Sequence, residues 1–333
     1  MDSDCQVVVL LCSMVGPADA EPVRPLTPRE WTDLEQKISS AGLEGPGALL
    51  GLATADLVRQ LEIESAEADR IAALVGRAAQ MNLELSRLAE KGITVLTRLD
   101  HSYPSRLRNS LKHVAPPVLF TAGEQRLLDK GGIAVVGSRN IDESGQAFAA
   151  EIGRRCARGS LPLISGGARG TDIMAMQSAI EAGGESVGVL ADSLERAVRA
   201  PDLMEPLENG MLALVTPYSP AASFTVGTAM GRNKIIYGMA DYAVVVSSEV
   251  QKGGTWSGAT EALKAYYCAV FARTGENVPE GNNELVKKGA VSFPESELNE
   301  IDDIAEWMNG RSSQSGELST SERMKSQQPG LFD

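Results

Sequence analysis

Apolar positions recur at helical spacing through the first ninety residues, and from Ile133 onward short apolar runs alternate with helical stretches. The run from Val7 to Val15 reads as a buried first helix. Start signals agree at Leu26-Thr27-Pro28-Arg29-Glu30-Trp31: Thr27 as N-cap, Pro28 at the first helical position, Glu30 at the third, and Leu26 placed to staple against Trp31. This predicts a helix to about Ser40. A turn follows from Gly42 to Gly47, then one or two short helices from Leu49 to Leu61. The longest periodic segment is Ser65 to Lys91, with Ile71, Leu74, Val75, Ala78, Leu85 and Leu88 on the spacing and Gly92 as its stop. A glycine turn between helices can hold a DNA backbone. This one has no lysine or arginine beside it and reads as a plain connector.

Ile93 to Leu96 resembles a strand, Asp100 to Pro104 a turn, and Pro116-Pro117 forces extended backbone before Val118-Leu119-Phe120. Strands are then expected near Ile133, Leu163, Val187, Leu212, Tyr242 and Ala269, with helices near Gln146, Asp172, Thr228, Ser257 and Ser296. That alternation predicts an α/β fold: a mostly parallel, doubly wound sheet covered on both faces, with an all-helical N-terminal region. The expected organisation is a helical region over 1–100, a sheet domain over 101–310 and a disordered tail over 311–333 that is poor in hydrophobics.

Composition narrows the function. The 333 residues carry a net charge of -13, which argues against a generally basic, nucleic-acid-coating surface. Any nucleic-acid site must be a local basic pocket. Much of the excess is itself local, since residues 280–306 hold eight acids and two lysines. Cys5, Cys12, Cys156 and Cys268 form no CxxC pair and His101 and His113 no HxxxH pair, so a zinc site is not expected, and no motif calls for a cofactor. Reduced thiols fit a cytoplasmic protein. Asp2 and Asp4 stand where a signal peptide would be positive, and the run behind them is too short to span a membrane.

The candidate chemistry lies in four strand-turn-helix pieces. Ile133-Ala-Val-Val136 leads into Gly137-Ser138-Arg139, and Leu163-Ile164-Ser165 into Gly166-Gly167-Ala168-Arg169-Gly170-Thr171-Asp172. Glycines let backbone approach an anion closely, and the arginines add planar, permanently charged donors that match phosphate oxygens. The third piece is Arg232-Asn233-Lys234, read as a helix start before the strand at Tyr242. The fourth runs from Lys252-Gly253-Gly254-Thr255-Trp256 to Glu261. A phosphorylated ligand, nucleotide or nucleic acid, is implied. Phe224 and Trp256 are candidates for base stacking, and packing accounts for Trp256 equally well.

These motifs resemble the DNA-processing protein A family, also called Smf, within the Rossmann-like domains that include the cytokinin-activating (LOG-type) phosphoribohydrolases. The resemblance begins at Ile93-Thr-Val-Leu-Thr97, Tyr103-Pro104, Pro116-Pro117-Val-Leu-Phe120 and Gly123. It continues through Val136 to Arg139, Ser165 to Asp172, and Arg232 to Ile236 with Gly238. It implies a Rossmann-like sheet and cytoplasmic single-stranded DNA binding, protection of strands in natural transformation, loading of the RecA recombinase, and a homodimer. Ser138 and Arg139 would contact phosphate, the backbone from Gly166 to Gly170 would line the pocket, and Arg232 and Lys234 would add charge.

The sequence also departs from the family. Ser144 stands where a tyrosine is usual and Met176 where a histidine is. Gly253-Gly-Thr255 replaces the usual serine, glycine and threonine segment, and no winged helix is evident. Three readings follow. As a binding module, the chain holds strand phosphates and Glu261 is an acid favoured by its helix N-terminus. As an enzyme on nucleoside monophosphates, Arg232 anchors the phosphate or ribose and Glu261 stabilises an oxocarbenium-like sugar. As a sensor, the same pocket reads a nucleotide in a defence or stress pathway. The end of the tail, Leu331-Phe332 with Gln327 or Gln328 upstream, resembles the peptides that dock on the replication sliding clamp.

Overall fold

The computed structural model describes residues 1–14 and 23–314. Val15, the tail from 315 onward and its Leu331-Phe332 pair lie outside the described residues. The first helix, α1 (Ser3–Cys12), is capped by Asp2, whose carboxylate accepts from Cys5 N–H at 2.8 Å, and Val7 to Leu11 are buried as the apolar run required. α2 (Pro28–Ser40) carries the expected capping box: Thr27 Oγ1 accepts from Glu30 N–H at 3.3 Å and Glu30 returns a carboxylate oxygen to Thr27 N–H at 2.7 Å. A short 3-10 turn (Pro46–Leu49) and α3 (Thr54–Leu61) follow. The glycine turn is fastened within the protein, since Gly47 N–H donates to Asp4 at 2.7 Å.

The segment expected as one helix from Ser65 to Lys91 is two, α4 (Ser65–Val75) and α5 (Ala78–Ala89). Arg77 at the break explains the split. Its guanidinium donates to the carbonyls of Leu74, Leu10 and Ser13, using acceptors that the ends of α4 and α1 leave over. Gly92 ends the segment at a φ of 72°.

Next come β1 (Ile93–Thr97), α6 (Ser105–Leu111), β2 (Val118–Gly123), β3 (Ile133–Gly137), α7 (Glu143–Arg158) and β4 (Leu163–Ser165). They are followed by α8 (Thr171–Glu181), β5 (Ser186–Val189), α9 (Leu194–Ala197), α10 (Pro201–Glu208), β6 (Leu212–Thr216), α11 (Val226–Met239) and β7 (Tyr242–Ser247). The chain closes with α12 (Gly253–Ala265), β8 (Ala269–Thr274), α13 (Glu280–Lys287), β9 (Val291–Pro294), a 3-10 segment (Glu295–Glu300) and helical residues 304–314. The helix expected near Ser296 is thus the 3-10 segment, and α13 and β9 are additional. Among the described residues no helix is long and apolar enough to cross a membrane.

The strands follow the order β1-β2-β6-β5-β4-β3-β7-β8-β9, and the chain forms two compact units. The first comprises Met1–Lys130 and Val187–Met239. In it β1 pairs antiparallel with β2, and β2 antiparallel with β6, Phe120 facing Thr216. The second comprises Gly131–Ser186 and Ala240–Asp333, with β4, β3, β7, β8 and β9 all parallel. Ile133 to Val136 and Ala243 to Ser247 are buried without interruption, as strands covered on both faces require. Gly153 lets α7 approach α8 closely, since a Cβ there would lie 2.4 Å from Ala175 O.

Charge also stabilises the first unit. Glu195 accepts from Arg87 at 3.0 Å and from Lys91, and these partners hold its carboxyl at about 2, below its ordinary 4.5. A depressed carboxyl contributes stability above its unfolded pKa and loses it as pH falls through the folded value. Between about pH 6 and about pH 3 the wild type is expected to lose about 2 kcal/mol more stability in urea titrations than Glu195→Gln. Equal losses would show that the cluster contributes nothing.

Candidate nucleic-acid interface

In the second unit the turns after β3 and β4 interlock through their backbones. A bulge at Gly137 sets it opposite Ser247, and the chain then turns through Ser138, whose hydroxyl donates to Asn140 O at 3.0 Å and accepts from Asn140 N–H at 3.1 Å. Thr171 ties the second turn to the first: its hydroxyl donates to Ser138 O at 3.0 Å and its N–H reaches the same oxygen at 3.3 Å. No side chain fits where they cross. A Cβ on Gly137 would stand 2.4 Å from Thr171 Oγ1, and one on Gly170, at a φ of 87°, 2.6 Å from Arg139 O. Gly137, Ser138, Arg139, Gly166, Gly167, Arg169 and Gly170 therefore meet in one place, with Arg139 and Arg169 exposed. Two exposed guanidiniums on a rigid double turn can hold phosphate oxygens.

Part of the backbone of the second turn is engaged inside the chain. Asp172 is buried, and one of its carboxylate oxygens accepts from Gly166 N–H at 3.1 Å and from Ala168 N–H at 3.3 Å.

Arg273, absent from the sequence reading, lies at the carboxyl end of β8 and is 0% exposed. Its guanidinium donates to Glu295 Oε2 at 2.9 Å and to Ser144 Oγ at 2.6 Å, stands 3.9 Å from Asp142, and packs over the Phe148 ring at 5.5 Å. Asp142 in turn caps α7, accepting from Gly145 N–H at 2.8 Å. A charge inside an otherwise apolar strand is the sequence signal that marks it.

The fourth piece behaves differently from expectation. α12 starts at Gly253, so Glu261 is its ninth residue, about 12 Å along the axis from that start, and the dipole argument for it fails. Its carboxylate accepts from Tyr267 Oη at 3.3 Å, and burial together with that carboxylate pushes the Tyr267 phenol up to about 12. The carboxylate that the phosphoribohydrolase reading needs beside the glycine turn is thus placed toward the far end of the helix. Trp256 is buried, with Lys288 Nζ 5.8 Å from its ring centroid, so its environment is one of packing.

In the first unit, Arg232, Asn233 and Lys234 stand inside α11 and not at its start. The sequence signal for the true start is the Thr225 and Thr228 pair, each hydroxyl accepting from the other residue's N–H at 3.0 and 3.1 Å. Arg232 is buried while Asn233 and Lys234 are half-buried. Tyr218 Oη donates to Thr228 O at 2.9 Å, and a Cβ on Gly231 would come within 2.7 Å of Tyr218 Oη. Burial pushes the Tyr218 phenol up and the Arg232 charge pulls it back. Gly238 lets α11 meet α6, where a Cβ would touch Leu107 at 3.1 Å. Phe224, Val226 and Met230 leave an exposed apolar edge at the head of α11.

A family model described as DNA recombination-mediator protein A matches residues 94–309. The chain is 28% identical over 221 residues to the DNA processing protein DprA of Bacillus subtilis, covering 63% of this chain and 71% of that one. It is 29% identical over 204 residues to protein Smf of Escherichia coli, spanning 59% of this chain and about half of that protein, 52%. Among solved structures, DNA processing protein A of Streptococcus pneumoniae aligns with a TM-score of 0.59 at 22% identity, covering 80% of this chain and 95% of that one. The Helicobacter pylori protein of the same name, described for its single-stranded DNA binding mode, aligns with a TM-score of 0.51 at 23% identity, covering 62% and 94%. At these identities the structural likeness concerns the fold.

Proposed function

Since the chain belongs to the DNA recombination-mediator protein A family, we propose that it binds single-stranded DNA in DNA processing. The match over residues 94–309, which takes in both interlocked turns and the basic segment of α11, carries this reading. In the second unit the strand's phosphates are held by Arg139 and Arg169, with Ser138 beside them; in the first unit Lys234 and Asn233 of α11 offer polar contacts of their own. Arg232, being buried, supports α11 as well as adding charge. Phe224, an exposed aromatic at the head of α11, stacks on a base. Binding of this kind reads the backbone and is sequence-tolerant. The family resemblance supports the wider role: a cytoplasmic homodimer that protects strands in natural transformation and loads the RecA recombinase. Docking on the sliding clamp through Leu331-Phe332 belongs to the same proposal.

The test is a titration of the full chain with a fluorescent single-stranded oligonucleotide at two salt concentrations, with a duplex and a nucleoside monophosphate as competitors. Tight, salt-sensitive binding that duplex displaces poorly is expected. Arg139 and Arg169 are both exposed, so the double substitution Arg139→Ala with Arg169→Ala removes no buried side chain. It is expected to weaken binding about tenfold or more and to flatten the salt dependence by about 0.7 in slope for each phosphate lost. An unchanged slope would remove the two turns from the strand-binding site.

A further inference from the structure

The turn between β4 and α8 has the outline of an anion nest, yet several of its donors already have acceptors within the chain. Gly166 and Ala168 N–H both reach Asp172 Oδ2, at 3.1 and 3.3 Å. Thr171 N–H donates to Ser138 O at 3.3 Å, Ile173 N–H to Ala168 O at 3.2 Å, and Met174 N–H to Gly170 O at 3.1 Å. The carboxylate sits in the first turn of the helix, where the macrodipole favours negative charge, and it is buried, so solvent does not compete for it. An incoming phosphate meets a turn in which the Gly166 and Ala168 amides already face a carboxylate.

We infer that Asp172 is a resident anion that determines specificity, closing this nest to compact phosphates and leaving anion binding to outward side chains. This rests on the strand-binding reading and deepens it. Inorganic phosphate and the terminal phosphate of a nucleoside monophosphate concentrate their charge on one group and are held best by several convergent N–H donors. Phosphodiesters carry one charge each and are spaced along a chain, so separate guanidiniums such as Arg139 and Arg169 can meet them one at a time. With the Gly166 and Ala168 amides filled, the turn discriminates against the mononucleotide and in favour of the polymer.

The experiment compares the full-length chain with Asp172→Ala and Asp172→Asn, measuring affinity for inorganic phosphate, adenosine monophosphate and a labelled single-stranded oligonucleotide. Alanine frees both amides, so the ratio of monophosphate to strand affinity should rise about tenfold. Asparagine keeps a neutral acceptor against the same amides and should raise it less. An alanine variant with wild-type circular dichroism and no gain in phosphate or monophosphate binding would overturn the inference. Should alanine unfold the protein, the wild type decides by amide NMR. The Gly166 and Ala168 resonances should hold still on addition of inorganic phosphate, and movement of either with phosphate would overturn the proposal. Failure of the wild type to bind the oligonucleotide would refute the strand reading by itself, without bearing on the phosphate comparison among the variants.

Discussion

Replacing Gly170 with alanine is expected to cost the second unit about 3 kcal/mol and to abolish strand binding at the double turn. Two effects add. At a φ of 87° an L side chain is strained, and the new Cβ would press within 2.6 Å of Arg139 O and 2.7 Å of Ser138 O. Those atoms are backbone and cannot rotate aside. They belong to the turn that presents Arg139, so relief of the clash displaces the guanidinium as well. Gly183 supplies the control: its φ is 79° but a Cβ there would meet nothing within 4 Å. Gly183→Ala should therefore cost only about 1 kcal/mol, from backbone strain alone. Urea midpoints for the two variants separate the effects, and equal costs would show that the turns do not press on each other.

The second large effect is expected at Arg273. Removing one partner of a buried ion pair typically costs 3–5 kcal/mol, because the other charge is left without compensation. Glu295 keeps 34% of its side chain exposed and can regain water, which places Arg273→Met near the lower end, about 3 kcal/mol. Loss of the bond to Ser144 and of the ring contact with Phe148 adds to this. Lysine should rescue little, since one ammonium cannot span Glu295 and Ser144 as the planar fork does. The double variant Arg273→Met with Glu295→Gln should recover part of the loss. Full additivity of the two single changes would count against a coupled pair.

The sequence was most legible where several signals agreed. Thr27, Pro28 and Glu30 each pointed to the same helix start, and the box they form is present atom for atom. The parallel strands were readable because burial on both faces demands continuous apolar runs, as at Ile133 and Tyr242. Less was legible where one residue's effect depends on a distant partner. Nothing local at Arg77 announces that it will serve the carbonyls of Leu10 and Ser13, 67 and 64 positions away, and so divide a periodic segment in two. Asp172 was read as part of a helix start, and its capture of the Gly166 and Ala168 amides depends on a turn conformation that only the packed backbone sets. The position of Arg232 was misread because the Thr225 and Thr228 cap is a weaker signal than a glycine next to a basic cluster. The charge of Arg273 in an apolar strand is visible in the sequence, but its partners Ser144 and Glu295, 129 and 22 positions away, are not.

The division of the chain bears on the order in which the protein can be made. The first unit draws on Met1–Lys130 and Val187–Met239, and the second on Gly131–Ser186 and everything from Ala240. On the ribosome, β1 and β2 emerge early and can pair as neighbours, but β2 must wait for β6 at Leu212–Thr216. β3 waits longer still, for β7 at Tyr242–Ser247. Each unit is thus closed by contacts of large sequence separation, which slow folding and leave β-strand edges open in the interval. The half-made chain, with one edge of β2 and one edge of β3 still unpaired, is the form most exposed to aggregation, and the one for which a chaperone would matter.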